Sequence, residues 1–315
     1  MTEYSSEVFD LGYQRYEGPR EGRMRARKAI WIDGMRTALG LGRGARAKIL
    51  PGVLFGFAIF MAVIMSLVAT AADSSDDIPT HADYYRIISV ILLIFSAIIA
   101  PELLCPDRRD GVIYLYLVRP LTTTDYVASR WLAFFSVSMA LICSGQLILF
   151  VGLTLAADES LSYLKDNWMD VPRFLGAGLV IAVFTTTLPL AVSAFTTRKA
   201  YAAAFVIGLF FISAVIAGIL TECDPMDLPS ERSPGYETAL EECEPRTGEV
   251  GKWFGLIDIG QVPGHVSDLI MDDESKSQVA RQVRKLPTGI PVIWYLIMTA
   301  GPGYVLWQRY RRLRV

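Results

Sequence analysis

Six apolar windows, at residues 50–72, 84–105, 131–157, 174–197, 201–220 and 286–307, constrain this chain more than any other feature. A bilayer hydrocarbon core of about 30 Å is crossed by roughly 20 apolar residues in a helix, and each window reaches that length. A spanning β-barrel would instead alternate polarity in segments of about ten residues; the uninterrupted run at 87–100 excludes it. The fourth and fifth windows are separated only by Thr197, Arg198 and Lys199, which predicts a tight hairpin. With 52% hydrophobic residues, 20% charged residues and a mean hydropathy of +0.37, the 315 residues read as an all-α integral membrane protein of six spans. The polar, basic first 49 residues contain no apolar core of a signal peptide, so an uncleaved multi-pass protein is expected.

Charge sorting gives the orientation. Lys and Arg number ten in residues 1–49, four in 106–130, two at Arg198 and Lys199, and four between Arg309 and Arg314. The alternate segments 73–83, 158–173 and 221–285 hold none, two and seven, and the last carries fourteen acidic residues. By the positive-inside rule both termini are cytoplasmic, in a plasma membrane. The chain then divides into a cytoplasmic N-terminal region (1–49), five spans with a cytoplasmic segment at 102–130 (50–220), an extracytoplasmic loop (221–285), and a sixth span with a basic tail (286–315).

In the N-terminal region Arg25, Arg27, Lys28, Arg36, Arg43, Arg46 and Lys48 interleave with Ile30, Trp31, Met35, Leu39 and Leu41. That pattern predicts a basic amphipathic helix lying on anionic membrane lipid, loosened in its second half by Gly40, Gly42 and Gly44; a soluble arm is the alternative. The loop 221–285 is acidic and Pro-rich at first, and then apolar enough from Trp253 to Val283 for one or two short helices. Cys223 and Cys243 lie in this loop and are a candidate disulfide if it faces an oxidising space. Two distant histidines, His81 and His265, give no metal spacing.

The segment between the second and third windows reads PELLCPDRRDGVIYLYLVRPLTTTDYVASRW, from Pro101 to Trp131. Val112, Ile113, Leu115, Leu117 and Val118 are too few for a span and predict a short amphipathic helix. A turn at Pro120 follows, then a new helix capped by Thr122, Thr123 or Thr124, with Asp125 at the positive end of its dipole. Glu102, Asp107, Gly111, the aliphatic run 115–118, Pro120-Leu121-Thr122, Asp125-Tyr126 and Arg130 together resemble the signature of ABC-type-2 transporter permeases, with Arg130 where many members have Lys. The resemblance implies a permease subunit of an ATP-driven exporter that pairs with a second permease subunit, as a homo- or heterodimer, and docks a cytoplasmic ABC ATPase subunit. It also implies that Glu102, Asp107, Arg108, Arg109, Asp110, Gly111, Pro120, Asp125 and Tyr126 form the ATPase-coupling segment. This chain would bind no cofactor itself; ATP and Mg would belong to the partner.

The residues agree that hydrolysis lies elsewhere. The cluster Gly40-Leu41-Gly42-Arg43-Gly44 lacks the Lys-Ser/Thr that completes a phosphate-binding loop, and neither HExxH nor GxSxG occurs. Polar residues within spans, Gln146 and Ser144 in the third and Thr185, Thr186 and Thr187 in the fourth, are candidates for a translocation path or for helix–helix hydrogen bonds. No ionised residue falls at mid-membrane, which disfavours an ion-coupled carrier. A lipid-acting membrane enzyme lacks a catalytic cluster, and an ABC-like complex that passes force to the outside through 221–285 is the remaining alternative.

Overall fold

The computed structural model describes residues 22–42, 44–71, 78–117, 121–157, 159–223, 239, 243–273, 275 and 277–312. Residues 1–21, Arg43, the acidic residues Asp73, Asp76 and Asp77, Pro120, most of 224–242 and Arg314 lie outside that set.

In hydrocarbon every backbone N–H and C=O must be satisfied within the chain, and helices do this segment by segment. Six described helices are long and apolar enough to cross a membrane. They are α2 (Ala45–Ala71), α3 (His81–Arg109), α5 (Thr123–Ala156), α7 (Asp170–Ser193), α8 (Lys199–Thr221) and α11 (Gly289–Arg311). The shorter elements are α1 (Gly22–Ala38), α4 (Val112–Leu117), α6 (Ser160–Asp166), α9 (Val262–Met271) and α10 (Gln278–Arg284). No strand occurs among the described residues, only an isolated bridge between Cys223 and Pro245. The fold is all-α.

Helices α3, α5 and α7 form the interior; α2, α8 and α11 lie around them with broad exposed apolar faces. The centre is aromatic and aliphatic, with Tyr84, Phe95, Phe134, Phe174 and Phe184 fully buried. The two longest helices exceed the bilayer core by the widest margin. At 1.5 Å per residue, the 34 residues of α5 reach about 51 Å and the 29 of α3 about 43 Å. Both overhang at the end that carries α1, α4 and the α7–α8 hairpin, called here the basic end.

The overhang of α5 has a local cause. Thr122 is the N-cap: its hydroxyl accepts from the Asp125 N–H while the Asp125 carboxylate accepts from the Thr122 N–H. This reciprocal box starts the helix two turns before the apolar window. The N-terminal segment divides in two at Gly40 and Gly42, both at positive φ. Before them is α1; after them α2 runs into the first span. At the opposite, acidic end, residues 248–257 form single helical turns, followed by α9 and α10. Cys223 and Cys243 meet beside them, their Cα atoms 6.1 Å apart, within the reach of a disulfide.

Candidate functional site: a clamp at the basic end

Helix α3 ends at Arg109, and Gly111, at φ 69°, turns the chain into α4. A side chain is disfavoured in this left-handed conformation, so glycine suits the corner. The overhanging last turn of α3 then faces the overhanging first turns of α5. Tyr126 and Arg130, one turn apart on α5, both reach α3: the Tyr126 hydroxyl donates to Asp107 Oδ2 at 2.7 Å, and Arg130 Nη2 donates to the same oxygen at 2.7 Å. Arg130 Nη1 donates in the other direction, to Asp33 Oδ2 of α1 at 2.9 Å. Arg130 is 3% exposed and sits 5.7 Å from the Tyr126 ring centroid. Tyr126 stacks on Tyr116 of α4 and packs against Tyr310 of α11. One guanidinium and one phenol thus hold α1, α3, α4, α5 and α11 together.

A second pair of contacts joins α1 to α5. Arg23 and Arg27, one turn apart, both pair with Asp125, Arg23 Nε at 2.7 Å from Oδ2 and Arg27 with the other oxygen. The Asp125 hydrogen bond holds the Arg23 guanidinium above its ordinary range. Trp31 Nε1 donates to Ser136 Oγ at 3.3 Å. The helices almost touch: a Cβ built on Gly34 would lie 2.6 Å from that of Ala133.

The other side of α3 is joined to the hairpin. Lys199 Nζ donates to Glu102 Oε2 at 2.6 Å, Arg108 donates to the Ala194 carbonyl, and Cys105 Sγ lies 3.4 Å from the Thr196 carbonyl. What faces outward is Arg109 and Asp110, paired with each other at 2.8 Å, with Tyr114 and the 69% exposed Leu115 of α4 beside them. Arg109 holds the Asp110 carboxyl below the usual carboxylate range.

The described residues read from the sequence as one coupling segment therefore fall into four groups. Asp107 and Tyr126 meet in the clamp with Arg130. Asp125 turns to α1, and Glu102 and Arg108 to the hairpin. Arg109, Asp110 and Gly111 stay at the surface; Pro120 lies outside the described residues. Asp33 and Arg23 went unread as site residues. Their partners lie about a hundred positions away, and no local motif marks them.

Of the polar residues singled out within the spans, all but Thr186 are hydrogen-bonded. The hydroxyls of Ser144, Thr185 and Thr187 donate to carbonyls one turn back in their own helices, and Trp131 Nε1 donates to Thr187 Oγ1 at 3.0 Å. The Thr186 hydroxyl is buried without a hydrogen bond. Gln146 Nε2 donates to the His81 carbonyl at 3.0 Å, while its Oε1 lies 2.6 Å from His81 Nδ1. That pair closes the acidic end of α3 against α5. An almost wholly apolar cavity of about 540 Å³ opens between α5, α7 and α11, lined by Trp131, Thr187, Thr299 and Trp307.

Also at the acidic end, Arg86 of α3 bridges to the segment around α9, at 3.0 Å from Asp273 and 3.9 Å from Asp268 of α9, with Asp83 at 2.5 Å. Burial pushes Asp268 up to about 6, and it pushes His265, one turn before it, down to about 4. No group of His, Cys, Asp and Glu able to hold a metal occurs among the described residues.

Six spanning helices with α1, α3 and α5 clamped together at one end define a multi-pass membrane protein. A family model described as ABC-2 family transporter protein matches residues 55–231, more than half of the chain, and the chain belongs to that family. No curated protein matches it. Membership makes the chain a membrane component of an ABC transporter and implies partnership with an ABC ATPase subunit.

Proposed function

We propose that the chain is the permease half of an ATP-driven exporter of the plasma membrane, and that the ATPase docks on the exposed face Arg109, Asp110, Tyr114 and Leu115. The basic end lies in the cytoplasm, a reading supported by the distribution of Lys and Arg, and a second permease subunit completes the pathway. ATP and Mg sit in the partner.

The observation that carries this reading is the placement of Arg130. It is buried between Asp107 and Asp33, directly behind the exposed face. A push on α4 or on the end of α3 reaches α5 and α1 through charge-assisted hydrogen bonds, which are short and directional. The remaining signature residues then serve as transmission inside the chain, and the partner is met by a small surface patch. Glu102–Lys199 and Arg108–Ala194 carry the same movement to α7 and α8. In the spans, Gln146 and Thr187 act as helix-to-helix fastening, while the Ser144 and Thr185 hydroxyls are taken up by carbonyls of their own helices. The apolar cavity beside Thr187 suits an apolar or amphipathic substrate.

A second reading, force transmission to an extracytoplasmic partner through 221–285, is favoured by one feature: Arg86 ties α3 to Asp273 and Asp268, so α9 moves with α3. The test for the first reading is co-purification from native membranes. The tagged chain brings down a nucleotide-binding subunit, and Leu115→Asp with Arg109→Glu reduces its yield. A chain recovered alone refutes the proposal.

A further inference from the structure

A long apolar groove runs between α7, α8 and α11 at the basic end, with an open volume of about 760 Å³. Leu188, Phe195, Tyr201, Phe205, Met298 and Val305 line it, and almost no polar surface enters it. Its floor lacks side chains where α11 carries Gly301, at which an added Cβ would meet nothing within 4 Å. The groove faces outward, where a membrane-spanning chain meets lipid.

Its mouth is chemically distinct from its walls. Arg198 stands 5.3 Å from the centroid of the Tyr201 ring and donates to the Tyr201 hydroxyl at 3.1 Å. Arg309 stands 5.7 Å from the centroid of the Phe195 ring. Tyr201 and Phe195 are themselves lining residues, so both guanidinium groups are held at the rim by the groove's own aromatics. No carboxylate pairs with either arginine among the described residues, whereas the adjacent Lys199 is taken by Glu102 and Arg108 by a carbonyl. A planar guanidinium matches a phosphate diester in charge and geometry.

We propose that this groove binds one anionic phospholipid, its acyl chains against Phe205 and Met298 and its phosphate between Arg198 and Arg309. A second copy of the chain is a poor occupant. In the same membrane it would present its own basic end at this level and set like charges against the two arginines. The proposal rests only on the chain lying in a bilayer, so it stands or falls separately from ATPase docking.

The test is native mass spectrometry of the full chain in mild detergent, with phosphatidylglycerol and phosphatidylcholine of identical acyl chains in equal amounts. One phosphatidylglycerol per chain is expected to be retained, roughly tenfold or more over phosphatidylcholine. Arg198→Gln with Arg309→Gln removes the preference. Gly301→Leu, which fills the groove, lowers retention of both lipids. Free glycerophosphate does not displace the bound lipid. Equal retention of the two lipids by the unaltered chain, or an unchanged preference in the double arginine variant, would overturn the proposal. So would loss of chain self-association, with lipid retention intact, in Gly301→Leu. The arginines are exposed, so their variants retain the fold and decide the matter even if Gly301→Leu does not fold.

Discussion

Arg130 of α5 and Asp107 of α3 form a 2.7 Å ion pair at the edge of the membrane-spanning bundle, with the arginine almost wholly enclosed. Each end has a further partner: Asp107 also receives the Tyr126 hydroxyl, and Arg130 also donates to Asp33. Breaking such a pair from one side leaves a charge without its partner in a place where water is scarce. Arg130→Met is expected to cost about 3–5 kcal/mol. Adding Asp107→Asn to it is expected to recover a large part, because the stranded carboxylate is gone. Reversible unfolding of the solubilised chain in a double-mutant cycle measures the coupling; strictly additive losses would show that the two residues act independently.

The contacts of Asp125 with α1 are of a different kind. Arg23 and Arg27 are well exposed, and ion pairs of that sort contribute little each and weaken with salt. Asp125→Asn is expected to cost on the order of 1 kcal/mol, keeping part of the Thr122 cap, and to release α1 preferentially. Hydrogen exchange of α1 against α5 reads this: exchange rises in α1 at low salt, and the difference between variant and parent shrinks at high salt.

Gly34 tests how closely α1 must sit. Its Cα faces Ala133 with no room for a side chain. Gly34→Leu is expected to force the helices apart at a cost of about 1–3 kcal/mol, the usual penalty of overpacking, and to disturb Asp33–Arg130 one residue away. Gly56, at which an added Cβ meets nothing, is the control. Equal melting temperatures for Gly34→Leu and Gly56→Leu would contradict the close contact.

Most of the architecture was legible because a bilayer allows so few alternatives. Long apolar runs must be helices, and Lys and Arg must collect on one side. The start of α5 was legible to within a few residues: Thr122, Thr123 and Thr124 all offered a cap, and the reciprocal bonds with Asp125 settle on Thr122. Legibility ended at contacts between distant positions. Asp33 and Arg130 are 97 residues apart, and His81 and Gln146 are 65 apart. No periodicity links them, and His81 in particular reads as a solitary residue in the sequence. The inward or outward direction of Asp107, Tyr126 and Arg109 was equally hidden, since a charged segment between two spans looks alike whether its charges face a partner or each other.

The acidic end makes a pH prediction. Asp268 has a folded pKa of about 6, above the ordinary carboxyl range, because burial disfavours its charged form. The folded state therefore holds this proton more tightly than the unfolded chain. The stability it confers is fully present below about pH 4 and is lost as pH rises through about 6. His265, pushed down to about 4, acts oppositely, and its contribution is lost as pH falls from about 6.5 toward 4. Asp268→Asn is expected to remove the decline on raising pH from 4 to 6, leaving only the rise due to His265. Melting curves of the solubilised chain at several pH values check this; identical profiles for variant and parent would contradict it.

The central claim is that the ATPase meets this chain at α4, at the basic end. A photo-crosslinking residue placed at Leu115 in native membranes tests it directly, with the same residue at Leu161, 75% exposed on α6 at the opposite end, as the control. The expected result is an adduct to a nucleotide-binding subunit from position 115 and none from position 161. An adduct from 161, or from neither position while the complex is intact, would contradict the account.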